Sequence, residues 1–83
     1  MKKTTKHRLT VREVQTLGPG KHADGGGLYL IVGASGTRRW LFRYTAGGKR
    51  RDQGFGSAGK VSLALAREKA AEATALLAGG IVP

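Results

Sequence analysis

The sequence contains no cysteine in its 83 residues. Neither a disulfide framework nor a thiolate metal site can therefore support the fold. Acidic residues are scarce: five Asp and Glu stand against fifteen Lys and Arg. Long apolar runs are missing too, and nothing approaches the ~20 residues of a membrane-spanning helix. The basic start Met1-Lys2-Lys3-Thr4-Thr5-Lys6-His7-Arg8 leads into Leu9-Thr10-Val11-Arg12-Glu13. No apolar core follows, so no export signal is expected and the cytoplasm is the expected compartment. Catalytic groupings are absent as well. His7 and His22 lie in basic, loop-like stretches without ligand-spaced partners. Asp24, Asp52, Glu68 and Glu72 form no pair suited to acid–base work, and neither Tyr29 nor Tyr44 has neighbours that would activate it. Gly20-Lys21 is followed by His22, which excludes a phosphate loop of the Walker type. The expectation is a chain with no catalytic residue, no metal, no cofactor and no small-molecule substrate.

What is present is positive charge. The formal net charge is +10 and the sequence pI is about 11.0. Self-repulsion makes such a field a cost to folding, so it implies a polyanionic partner, nucleic acid first. The length gives room for one domain, burying roughly 60–65% of its unfolded surface.

Residues 1–8 read as a basic flexible tail and 9–79 as a single domain, with 80–83 as the start of a linker. A short helix is expected over Leu9–Leu17. Thr10 is the N-cap and Glu13 closes a capping box, while Leu9 and Val14 form a hydrophobic staple. Val11, Val14 and Leu17 give it one apolar face, and Gly18 with Pro19 ends it. Gly18-Pro19-Gly20 and Asp24-Gly25-Gly26-Gly27 bracket a loop. Strands are expected at Leu28–Val32, from Arg38 or Arg39 to Thr45, and at Lys49–Phe55. A longer helix, capped by Ser62, runs to about Ala78 and stops at Gly79-Gly80. Its stripe is Leu63, Ala66, Ala70, Ala73 and Leu77, with Leu65 nearly opposite and Arg67, Glu68, Lys69 and Glu72 toward solvent. The fold class is thus α+β: a short N-terminal helix, a three-stranded antiparallel sheet, and a C-terminal helix packed on one sheet face.

Gly47-Gly48 is a two-residue hairpin signal, and it sets a register. Ala46 faces Lys49, Tyr44 faces Arg51, Phe42 faces Gln53 and Trp40 faces Phe55 on the helix side, joined by Leu28, Leu30 and Val32. Thr45 with Arg50, Arg43 with Asp52, and Leu41 with Gly54 take the open side, with Arg39, Tyr29 and Ile31. A cross-strand pair between Arg43 and Asp52 would partly neutralise Arg43, which favours Arg39 and Arg50 as ligand contacts. From Arg38 to Lys60 there are seven basic residues and one acidic, an excess beyond what a solvated face requires.

The motifs Leu9-Thr10, Asp24-Gly25-Gly26-Gly27-Leu28-Tyr29-Leu30, Gly36, Trp40, Phe42-Arg43-Tyr44, Gly48-Lys49, Gly56, Val61-Ser62-Leu63-Ala64 and Ala66-Arg67 together resemble one family. It is the N-terminal arm-binding domain of phage and genomic-island tyrosine integrases. The resemblance implies sequence-specific binding of duplex DNA at arm-type sites, with a three-stranded sheet in the major groove. It also implies core-binding and tyrosine-nucleophile domains beyond Pro83. Three positions depart from the family: Leu65 where an acid is common, Ile31 where a polar residue is common, and Gln53 where an apolar one is.

On this reading Arg39, Arg43 and Arg50, beside Thr45, face the groove, where Arg can bind guanine through two hydrogen bonds. Arg38, Lys49, Arg51 and Lys60 hold phosphates, and the tail residues Lys2, Lys3 and Lys6 add backbone or minor-groove contacts. The alternatives are a protein-interaction module joining integrase protomers through Tyr29, Ile31 and Leu41, and an RNA-binding sheet that stacks bases on Tyr29.

Overall fold

Thr10 opens the first helix as its residue type and spacing dictate. Its hydroxyl accepts from the Glu13 amide at 3.1 Å, and the Glu13 carboxylate accepts from the Thr10 amide at 3.0 Å. The computed structural model describes residues 8–82, and in it helix α1 spans Val11–Thr16. Leu9 and Val14, the two ends of the staple, are buried. Val11 is not part of the apolar face; it is 65% exposed. The helix ends one residue early, with Leu17 already extended at its C-cap ahead of Gly18-Pro19.

Four strands follow, not three: β1 Gly20–Gly25, β2 Leu28–Val32, β3 Arg38–Ala46 and β4 Lys49–Ser57. They form one antiparallel sheet in the order β1-β2-β3-β4, which leaves β1 and β4 as its edges. The added strand is the segment expected as a loop. Lys21 pairs with Ile31, His22 with Leu30 and Ala23 with Tyr29. The turn into β2 uses Gly26-Gly27. Gly27 has φ +91, and a Cβ there would lie 2.4 Å from the Arg43 carbonyl oxygen, so only glycine fits. Its own carbonyl accepts from the Arg43 amide at 2.8 Å.

The β3–β4 hairpin turns on Gly47 and Gly48 with φ +61 and +76, the left-handed pair of a type I′ turn. The register runs as expected from Ala46↔Lys49 through Leu41↔Gly54. It then shifts, because Phe55 is the extra residue of a bulge and Trp40 pairs with Gly56. Phe55 nevertheless reaches the helix side, where its ring stacks on Phe42 with centroids 5.6 Å apart.

Helix α2, Leu63–Ala78, covers that side. Ser62 caps it by accepting from the Leu65 amide at 3.1 Å. Leu63, Ala66, Ala70 and Ala73 are buried against Leu28, Leu30, Val32, Trp40 and Phe42, with Leu77 partly buried. The small alanines let the helix approach the sheet closely. The Trp40 indole N–H donates to the Val61 carbonyl at 2.8 Å and ties the connector down. Gln53 sits on this side with its Oε1 buried and without a hydrogen-bond partner among the described residues. Leu65 is 39% exposed, as its place on the helix implies. Among the described residues no helix is long and apolar enough to cross a membrane.

Candidate nucleic-acid interface

Strand alternation sorts the basic residues between the two sides of the sheet. Residues 39, 41, 43 and 45 of β3 point away from α2, and the ladder carries their partners Tyr29, Ile31, Arg50 and Asp52 with them. Arg39, Arg43, Thr45 and Arg50 therefore share one open face. Strand β1 extends it, since Lys21 pairs with Ile31. Lys21 joins this face because β1 exists, and the loop reading had hidden it.

The centre of the face is a cluster around Tyr29. The Arg43 guanidinium carbon lies 5.5 Å from the ring centroid and the Lys21 ammonium 5.6 Å from it. Arg43 also grips Asp52: Nε donates to one carboxylate oxygen at 2.9 Å and Nη2 to the other at 3.3 Å. Hydrogen bonding to Asp52 pushes the Arg43 pKa up, and the same bond holds the Asp52 carboxyl below its usual range. Arg39 and Arg50 are exposed and make no side-chain hydrogen bond among the described residues.

The remaining sequence candidates lie elsewhere. Arg38 pairs with Val32, on the helix side, and its Nη1 donates to the Val14 carbonyl at 3.0 Å. It fastens α1 to the sheet. Lys49 and Arg51 pair with Ala46 and Tyr44, so they rim the helix side of β4 and are exposed. Lys60 is exposed in the connector before α2. Lys2, Lys3 and Lys6 lie outside the described residues.

One charged group has a role that the sequence reading missed. Asp24 is 2% exposed, and a register shift in β1 between Ala23 and Gly25 turns it inward. It accepts from the Leu9 amide at 2.7 Å and from Arg67 Nε and Nη2 at 2.9 and 2.8 Å. Arg67 Nη2 also donates to the Leu9 carbonyl at 2.7 Å. Arg67 is thus not a solvent-facing residue of α2 but a clamp joining α2, β1 and the chain entering α1. Burial by itself would raise the Asp24 pKa. The Arg67 and Leu9 hydrogen bonds, with the charges of Arg67 and Arg8, outweigh it and hold the carboxyl below its usual range.

The family described as "Arm DNA-binding domain" matches residues 7–83. The integrase of Enterobacteria phage P4 is 42% identical over 82 residues, covering 92% of this chain and 19% of that protein. A prophage integrase of Escherichia coli is 44% identical over 62 residues, covering 72% of this chain and 15% of that protein. The integrase of Shigella phage Sf6 is 35% identical over 79 residues, covering 90% of this chain and 20% of that protein. The chain thus spans between 15% and 20% of the length of these relatives.

Proposed function

Because the chain belongs to the arm DNA-binding domain family of integrases, we propose that it binds duplex DNA sequence-specifically at arm-type sites through its open sheet face. In this role it supports integration and excision of a mobile element. The strand-exchange chemistry resides in other parts of the integrase. The observation that carries the reading is the face itself. Lys21, Arg39, Arg43 and Arg50 converge on it, with Asp52 as its one acid among the described residues.

The β3–β4 hairpin, which carries Arg39, Arg43 and Arg50, is a two-stranded ribbon and is narrow enough to enter the major groove. Arg39, Arg43 and Arg50 face base edges, with Thr45 and Lys21 beside them. Lys49, Arg51 and Lys60 flank the face and meet phosphates, which fix register without reading sequence. Arg38 contributes through its charge while it holds α1. A domain of this size binds weakly alone and gains effective affinity by tethering.

The test is fluorescence anisotropy with two duplexes, one carrying the direct repeats beside the parent element's attachment site and one scrambled. If roughly six phosphates are neutralised, log K falls with log salt at a slope near −5. Tighter binding to the repeats is the expected result. Equal binding to both duplexes reduces the role to general DNA affinity. No binding at low salt transfers the face to contacts between integrase protomers.

A further inference from the structure

The open face holds its arginines in two different states. Arg39 and Arg50 are exposed and unattached among the described residues. The side chain of Arg43 is 24% exposed, lies against the Tyr29 ring and is fixed by Asp52 at two points. A long arginine side chain carries much rotamer entropy, which an unpaired one loses on making a defined contact. Arg43 has lost most of its freedom already.

The geometry of the grip also matters. A guanidinium has five N–H donors in a planar fork. Asp52 engages Nε and one hydrogen of Nη2, on one edge of the fork. The opposite edge, between Nη1 and Nη2, keeps two parallel donors with no partner among the described residues. Two parallel donors match the O6 and N7 acceptors that guanine shows in the major groove.

Asp52 is otherwise hard to place. It is the acidic side chain in a basic field, and Lys21 and Arg50 act on it electrostatically as well as Arg43. A carboxylate there repels phosphate and lowers general affinity for DNA. It is intelligible if what it contributes is orientation.

We propose that Arg43 is the residue with which this face reads a guanine, and that Asp52 is a positioning residue that holds the guanidinium for that contact, with Tyr29 as its floor. The proposal rests on the DNA-binding reading above. It reverses the ranking that charge alone suggests, in which the paired arginine is the weaker candidate. Arg39 and Arg50, exposed and without a side-chain partner among the described residues, face base edges beside Arg43 and adapt to more than one of them.

The experiment is selection of binding sites from a randomised duplex pool by the 83-residue chain and by its Arg43→Lys and Asp52→Asn variants. Melting temperatures are recorded for all three. Lysine keeps the charge and loses the fork. The expected result is a wild-type motif with an invariant G·C pair at which Arg43→Lys loses preference by about tenfold or more. Affinity of that variant for unselected duplex stays within about twofold. Asp52→Asn weakens preference at the same base pair while binding unselected duplex at least as tightly, because a repelling charge is gone. A purely structural role for Asp52 moves the melting temperature and leaves the motif intact, which overturns its assignment. An unchanged motif with Arg43→Lys, or equal weakening on every sequence, overturns the assignment of Arg43 and leaves DNA binding standing. A wild-type chain that selects no motif at all overturns the sequence-specific reading, and this proposal with it.

Discussion

The sheet carries an Arg–Asp pair on each of its two sides, and the pairs differ in everything except composition. On the helix side, Asp24 is 3% exposed at its side chain, and Arg67 spans 43 positions of sequence to reach it. On the open side, Asp52 is 43% exposed and its partner lies nine positions away across a hairpin. The buried carboxylate has a hydrogen bond from Leu9 in addition to Arg67, so its desolvation is compensated on both oxygens. The exposed one has Arg43 alone as its hydrogen-bond partner among the described residues. The same two residue types therefore hold the fold together in one place and orient a side chain in the other.

Removing the acid from each pair should separate them most sharply. Asp24→Ala leaves Arg67 without its counter-charge and the Leu9 amide without its acceptor, and is expected to cost about 3 kcal/mol. In a domain this small that lowers Tm by at least about 10 °C, read by circular dichroism. Acid should act in the same direction by titration. The folded-state pKa of Asp24 lies below its ordinary 3.8, so its stabilisation is complete above that value and is lost as pH falls through the lower folded one. Urea unfolding from pH 7 to pH 2.5 should show that loss, and Asp24→Asn should flatten that part of the profile.

Gly27 links the two sides, since its turn follows Asp24 and its carbonyl receives the Arg43 amide. Gly27→Ala is expected to cost at least about 2 kcal/mol, from its positive φ and from the approach to the Arg43 carbonyl. It should also disturb DNA binding, which a stabilising second substitution elsewhere would not restore. The smallest effect is expected from Asp52→Asn: no resolvable change in melting temperature, since exposed pairs contribute little. A large drop there would erase the contrast.

How far the sequence reveals this arrangement depends on the range of the interactions. Both N-caps were legible because Thr10, Glu13 and Ser62 act on residues within three positions. The hairpin register was legible because Gly47-Gly48 permits one tight turn, and alternation then fixes every partner up to Leu41 and Gly54. The bulge beyond was missed, although Gly54 and Gly56 flanking Phe55 are its signal. Strand β1 was missed for a different reason. Gly20-Lys21-His22-Ala23-Asp24-Gly25 has little strand preference, and its pairing to β2 supplies what its residues do not. The Asp24–Arg67 pair was beyond local reading, because 43 positions separate its ends. Yet Asp24 and Arg67 come from two separate stretches that carry the family likeness, and their ion pair accounts for both, with the Leu9 backbone held between them. The open face was legible in Arg39, Arg43, Thr45 and Arg50, but not in Lys21, which needed the fourth strand.

Strand β4 has a consequence for the chain's behaviour in crowded solution. It is nine residues long and forms an edge of the sheet, with one row of backbone donors and acceptors that no neighbouring strand satisfies among the described residues. Such a row is a template on which a second molecule can lay a strand and begin an aggregate. Lys49, Arg50, Arg51 and Asp52 fill its first half with charge, and the bulge at Phe55 bends the second half away from a straight ladder. An approaching copy would bring like charges against like and meet a kinked rail. Neutralising Arg50 and Arg51 to probe binding would thus also remove a guard against self-association.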